Sequence, residues 1–281
     1  VPYQDASNVG RWKRAAGGYA LTMDARGARN VPRVYSADVG LSSRAAPLFT
    51  YARQGGKEHW TVATGSLGKA GSRWLPVRDP VAYAGDVFQT LARAQGVPLP
   101  APKPVAMLPG GTVLVEQASA PLPVILRAMM KHSTNVTAEA VGMTTSVARG
   151  APAGRGASGA AMSEWLHARL GGGRARFVDH SGLGADTRIS AMEMVRAVTL
   201  LGPKAGLRGL MKPFALRDAG GKVQQGQALR VDAKTGTLNF VSTLTGYMTA
   251  PDGTELAFAI FTGDVARRAR AGASEQPQGG R

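Results

Sequence analysis

The sequence predicts a mixed α and β protein, an α+β arrangement of helices packed on an antiparallel sheet, preceded by a β-rich region. Three observations lead there. Residues 231–261 form apolar runs broken by turn residues, residues 79–96 and 124–202 carry runs of helical period, and residues 1–76 are rich in glycine and short apolar stretches.

In the first region, Gly18-Tyr19-Ala20-Leu21-Thr22-Met23 and Trp60-Thr61-Val62-Ala63-Thr64 read as strands. A helix then opens cleanly. Asp79 can cap it, Pro80 suits its first turn, Val81, Ala84, Phe88 and Leu91 share one face, and Gly96 ends it. This helix is expected to pack on the core of the region that follows. A proline-rich link over 98–109 leads to a strand-like Thr112-Val113-Leu114-Val115.

Helices are expected over 124–131, 138–148 and 163–170, with the glycine-rich stretch 150–159 as a loop. Ser190-Ala191-Met192-Glu193 makes a capping box that opens a helix stopping at Gly202. Strands over 231–238 and 241–248 and a third over 256–261, after the turn Pro251-Asp252-Gly253, read as an antiparallel meander. No internal repeat is present.

Composition narrows the classes. A chain of 281 residues with 44% hydrophobic content can bury a sizeable core. It has no run of about 18 uninterrupted apolar residues, so the sequence predicts no transmembrane segment. The absence of cysteine excludes disulfides, thiol nucleophiles and cysteine-ligated metals. The formal charge of +16 attracts polyanions, but the basic residues are dispersed. Their densest clusters, Arg11-Trp12-Lys13-Arg14 and Arg267-Arg268-Ala269-Arg270, belong to no nucleic-acid-binding motif, so a solvated surface is preferred to a nucleic-acid partner, and attraction to an anionic cell wall is the sharper alternative.

Two short motifs carry the chemistry. Ser133-Thr134-Asn135 stands between two helical runs, a junction that can aim side chains into a cleft, and Lys234-Thr235-Gly236-Thr237 stands on a strand. An ammonium and neighbouring hydroxyls bind a carboxylate. Gly236 lets a peptide backbone lie close against the strand. Plainer readings exist for each: Ser133 and Asn135 as caps of a helix from Val136, Lys234 as an edge-strand lysine that blocks aggregation, and Gly236 as a bulge. Asp179-His180-Ser181 holds the residue types of a hydrolytic triad, but as sequence neighbours they fit a turn better. The remaining histidines show no metal-ligand spacing.

With these motifs in this order, the chain resembles the D-alanyl-D-alanine carboxypeptidase/endopeptidases, low-molecular-mass penicillin-binding proteins with a large insertion in a transpeptidase-like domain. The resemblance rests on Arg78-Asp79-Pro80, Lys131-His132-Ser133-Thr134-Asn135 with Ala138-Glu139, Asp179-His180-Ser181-Gly182-Leu183, and Ala233-Lys234-Thr235-Gly236-Thr237 with Gly246-Tyr247. It departs from the family pattern at Thr134 and His180. It implies a remnant of the β-rich insertion over 1–76, an incomplete transpeptidase-like domain over 77–265 and a polar tail over 266–281.

The resemblance implies a serine-type hydrolase of D-Ala-D-Ala ends in peptidoglycan, exported or periplasmic, acting through an acyl-serine, acylated by β-lactams and needing neither cofactor nor metal. Ser133 would relay a proton toward the leaving amine, Asn135 would hold the substrate backbone, and Lys234 would poise the relay and bind the terminal carboxylate. Thr235 and Thr237 would add hydroxyl hydrogen bonds, Gly236 would admit the peptide, and the Thr237 N–H would form half of an oxyanion hole. The family's nucleophile belongs to a Ser-x-x-Lys motif at a helix start. Only Ser66-Leu67-Gly68-Lys69 fits those letters, among glycines that disfavour a helix. The chain is therefore expected to be a fragment or processed piece, inactive by itself. A non-catalytic module that binds cell-wall peptides is the alternative.

Overall fold

The structure, a computed structural model, describes residues 7–25, 30–107, 109–152, 154–224, 226, 228–238 and 240–271. The chain divides into two compact units, Val1–Gln117 and Ala118–Arg281. The division falls later than the boundary expected after residue 76. Among the described residues, no helix is long and apolar enough to cross a membrane.

The first unit contains β1 (Ser7–Ala15), β2 (Gly18–Ala25), β3 (Ala37–Ser42), β4 (Phe49–Gln54), β5 (Lys57–Ala63), β6 (Ala70–Pro76) and helix α1 (Pro80–Ala94). One sheet has the order β2-β1-β6 and the other β3-β5-β4. Met23, Ala25, Val34, Ala37, Trp60 and Leu75 form their common core, and Tyr83 and Val87 of α1 pack against it. The helix expected to serve the following region thus has an apolar partner in its own unit. Its start is capped as the sequence predicts, with the Asp79 carboxylate accepting from the Ala82 N–H at 3.1 Å. Thr112-Val113-Leu114-Val115 corrects the expected strand, since these residues are exposed and belong to no strand. Apolar residues alone do not make a strand where no neighbour completes the ladder.

The second unit begins with α2 (Leu122–His132), α3 (Asn135–Ala148), α4 (Arg155–Leu170), α5 (Ala191–Leu201) and the single turn α6 (Leu207–Leu210). It continues through β7 (Lys212–Phe214), β8 (Arg230–Leu238), β9 (Val241–Thr249) and β10 (Glu255–Gly263) to α7 (Val265–Ala271), which occupies the start of the expected polar tail. Residues 272–281 of that tail lie outside the described residues. The sheet has the order β10-β9-β8-β7 and is antiparallel throughout, so the meander read from the sequence is present.

The glycine-rich stretch 150–159 is another correction, because α4 already starts at Arg155. Gly159 serves a close approach there, since a Cβ on it would lie 2.7 Å from the Val178 carbonyl carbon. Helix α5 joins two core clusters. Ala197 and Leu201 pack with Leu166, Leu170 and Ala175, while Val198 and Met194 pack with Met211 and Tyr247. The buried Tyr247 hydroxyl donates to the Val198 carbonyl at 2.8 Å. Gly202 leaves room for it, for a Cβ there would stand 1.8 Å from Tyr247 Oη.

The predicted capping box is complete. Ser190 Oγ accepts from the Glu193 N–H at 3.1 Å, and Glu193 Oε2 accepts from the Ser190 N–H at 3.1 Å. Glu193 Oε1 also accepts from the backbone N–H groups of Arg174 and Ala175, at 2.6 and 2.9 Å. Donation from Arg174, followed by that from Ser190, holds the Glu193 carboxyl down to about 2. Such a group stabilises the fold above the ordinary carboxyl value, and the contribution is lost as pH falls toward 2.

Two outcomes follow. Glu193→Gln is expected to cost about 1 kcal/mol near neutrality. Denaturant titrations should show that difference shrinking between pH 7 and pH 2.5, and a constant difference would refute the carboxylate's role. Gly246→Ala is expected to cost about 1–3 kcal/mol by overpacking, because its Cβ would meet Asp232 O at 2.1 Å and Ala233 Cα at 2.6 Å, both β8 backbone atoms. An unchanged guanidinium midpoint would contradict the close approach of β8 and β9.

Candidate active site

Helix α2 ends because Ser133 adopts the left-handed conformation, with φ 54° and ψ 50°. Few residues other than glycine take this conformation, and the turn it makes lets α3 start two residues later. Thr134 is the N-cap of α3 but makes no side-chain capping bond, and Asn135 is already its first helical residue. The reading of Ser133 and Asn135 as caps of α3 is therefore not what the chain does.

The left-handed turn presents the exposed Ser133 hydroxyl to β8, where Lys234 Nζ donates to Ser133 Oγ at 2.8 Å. Lys234 Nζ also donates to the Thr235 carbonyl. The two motifs, 101 residues apart in sequence, thus meet in one place. Burial lowers the Lys234 pKa from the ordinary lysine value, because desolvation disfavours the ammonium form. Asn135 is half-buried and makes no side-chain hydrogen bond among the described residues.

Strand alternation sets Lys234 and Gly236 on one face of β8 and Thr235 and Thr237 on the other, where both threonines are exposed. Strand β7 pairs with β8 only at Val231, Asp232 and Ala233. Among the described residues, positions 234–238 are therefore paired on the β9 side alone. That leaves a free strand edge on which an extended peptide can add. Gly236 has an internal reason as well, since a Cβ there would lie 2.5 Å from Thr243 Oγ1 on β9.

The Asp179-His180-Ser181 segment is a turn. The Asp179 carboxylate accepts from the N–H groups of Gly182 and Gly184 at 3.1 and 2.6 Å and from Ser181 Oγ at 3.2 Å. His180 faces elsewhere, with Nε2 at 2.6 Å from the fully buried Ser158 hydroxyl, which lies 2.5 Å from Ser146 Oγ. Its ring rests on Gly142 of α3, and the Glu139 carboxylate accepts from the His180 and Ser181 N–H groups. This lock between α3, α4 and the turn was not legible in the sequence, because it joins isolated small and polar residues with no shared period.

Ser66 ends a 3-10 turn over Thr64–Ser66 in the first unit and donates to the Ala45 carbonyl at 2.5 Å. It does not begin a helix. Among the described residues, no group of three or more histidine, aspartate or glutamate side chains is placed to hold a metal ion.

The model of the D-Ala-D-Ala carboxypeptidase 3 (S13) family matches residues 40–277. The chain belongs to that family. Among relatives of this S13 chain, carboxypeptidase DacB of Mycolicibacterium smegmatis is 32% identical over 199 residues, covering 64% of this chain and 42% of that protein. The D-alanyl-D-alanine carboxypeptidase of Actinomadura sp. strain R39 is 32% identical over 204 residues, covering 66% of this chain and 37% of that protein. The chain thus spans about two fifths of the length of the curated relatives it matches.

Penicillin-binding protein 4 (dacB) from Haemophilus influenzae superposes with a TM-score of 0.62 and 20% identity, over 98% of this chain and 62% of that one. Its complex with a novel β-lactam superposes with a TM-score of 0.64 and 21% identity, over 93% of this chain and 64% of that one. The likeness establishes the fold of this S13 chain as the transpeptidase-like one of penicillin-binding protein 4.

The depressed Lys234 pKa is open to direct titration. Followed by the Cε resonance and assigned with Lys234→Arg, the Lys234 ammonium is expected to lose its proton below the ordinary lysine range. Titration in the ordinary range would remove desolvation as the site's controlling influence.

Proposed function

We propose that this chain serves a serine-type D-Ala-D-Ala carboxypeptidase/endopeptidase that acts on peptidoglycan stem peptides outside the cytoplasm through an acyl-serine intermediate. The observation that carries the reading is the 2.8 Å contact between Lys234 Nζ and Ser133 Oγ beside a free strand edge. Family membership supports the same substrate class, as do the names of the relatives.

In this reading Ser133 passes a proton to the leaving amine, which its hydroxyl can do because it both donates and accepts. Lys234 keeps positive charge beside that relay and binds the substrate's terminal carboxylate, while the exposed Thr235 and Thr237 offer hydroxyl hydrogen bonds to the peptide. Asn135 donates its amide to the substrate backbone, which lies along β8 at Gly236. The Thr237 N–H forms half of the oxyanion hole. In this reading the acyl-accepting serine is not Ser66, whose hydroxyl donates to the Ala45 carbonyl at the end of a 3-10 turn instead of standing at the start of a helix. The 281 residues alone therefore bind the peptide without cleaving it, and β-lactams acylate only a protein that also carries the nucleophile segment.

The 281-residue chain is expected to take no covalent label from fluorescent penicillin while binding an acetylated peptide ending in D-Ala-D-Ala reversibly. Label on Ser66 would overturn the assignment of the nucleophile. In a product that joins a Ser-x-x-Lys segment to these residues, Lys234→Ala is expected to slow acylation by about a hundredfold or more. Unchanged acylation would remove Lys234 from the site. Peptide binding without acylation in that longer product would favour a non-catalytic module.

A further inference from the structure

A basic cleft of about 640 Å³ lies in the second unit, lined by Arg127 and Lys131 of α2, Arg208 and Gly209 of α6, Met211, Lys212 and Pro213 at β7, and Arg230 and Asp232 of β8. Five of these side chains are cationic and one is a carboxylate. The carboxylate is already neutralised, because Asp232 Oδ2 lies 2.8 Å from Arg208 Nε and 3.6 Å from Arg230 Nε. Arg208 is fully committed to the fold, donating also to Thr249 Oγ1 at 2.7 Å and to Glu255. Arg127, Lys131 and Lys212 have no acidic partner within 4 Å among the described residues, and the Arg230 side chain is 66% exposed.

These charges come from three separated stretches of chain, which is why no cluster marks them in the sequence. Their spacing has a pattern. Arg127 and Lys131 are one helical turn apart on the same face of α2, while Lys212 and Arg230 come from the neighbouring strands β7 and β8. No aromatic side chain lines the cleft, so it lacks the stacking platform used to hold single-stranded nucleic acid.

We infer that this cleft docks an acidic peptide segment, its carboxylates meeting the cations of α2, β7 and β8. The guanidinium forks and ammonium groups match carboxylates directly. Their convergence on one concave wall distinguishes them from the dispersed surface charge, and each pair has the modest strength of an exposed ion pair. The inference stands apart from the roles given to Ser133 and Lys234, neither of which is altered in its test.

The probe is a fluorescein-labelled octapeptide of alternating glutamate and alanine, with its glutamine counterpart as the neutral control. Anisotropy would be measured on the 281-residue protein at about 0.15 M salt, where exposed charges are screened beyond about 8 Å. The glutamate peptide is expected to bind and the glutamine peptide not to. The variant Lys131→Gln/Lys212→Gln/Arg230→Gln should weaken binding about tenfold, from three ion pairs of ordinary strength. The exposed control Lys69→Gln/Lys103→Gln/Lys204→Gln removes the same charge elsewhere and should stay within about twofold.

Equal losses in both triple variants would overturn the proposal in favour of bulk charge. Stronger competition from polyphosphate or oligothymidine than from unlabelled peptide at equal charge would overturn the choice of occupant. If the cleft variant fails to fold, Arg230→Gln alone is expected to lose about threefold, and full retention of affinity there would also refute the site.

Discussion

A left-handed backbone at Ser133 is the constraint on which the site depends. A serine in that conformation costs on the order of 1 kcal/mol relative to an ordinary helical residue. It ends α2 and allows α3 to begin within two residues, which leaves the Ser133 hydroxyl exposed at a corner instead of lying along a helix. Lys234 meets it there from the sheet. A glycine would relieve the strain but would remove the hydroxyl, so the conformation and the chemistry compete at a single residue.

The surrounding packing fixes where that corner points. Tyr247 and Gly202 let α5 sit against β9, Gly246 lets β8 and β9 close, and β8 carries Lys234. On the helical side, Glu139 and the ring of His180 hold α3 against the turn at Asp179. The cluster around Tyr247 also receives Met130 of α2, so it supports both the helix that ends at Ser133 and the sheet from which Lys234 reaches the serine hydroxyl. That contact sits in a partly desolvated position, where its ammonium is held less firmly protonated than a surface lysine's would be.

Much of the frame was legible. The strand meander, the capping box at Ser190 and the helix opening at Asp79 each have a local chemical signature, and all three are present. The two motifs were legible as letters in family order, and their meeting in space is a tertiary fact that the letters only suggested. Local signals misled where packing decided. Gly156 and Gly159 looked like loop residues, but the second is a helical contact point against residues 177–179. Val113, Leu114 and Val115 looked like a strand and have no strand partner. The Asp79 helix looked destined for the second region and finds its apolar contacts in the first unit, because Tyr83 and Val87 meet a core built from strands whose pairing no short window could reveal. The basic cleft was invisible for a related reason, since its charges converge only through the sheet and helix geometry.

The seating of His180 on Gly142 has a consequence for how this chain can vary. A Cβ at position 142 would lie 2.1 Å from the imidazole Cγ, so a side chain there and the ring at 180 cannot both keep these places. Substitutions at 142 and 180 are therefore non-additive. A larger residue in α3 is admissible only where the ring has gone, and the imidazole, once acquired, closes that route. The pair is expected to be epistatic, a side chain at 142 costing more in the presence of the imidazole than in its absence.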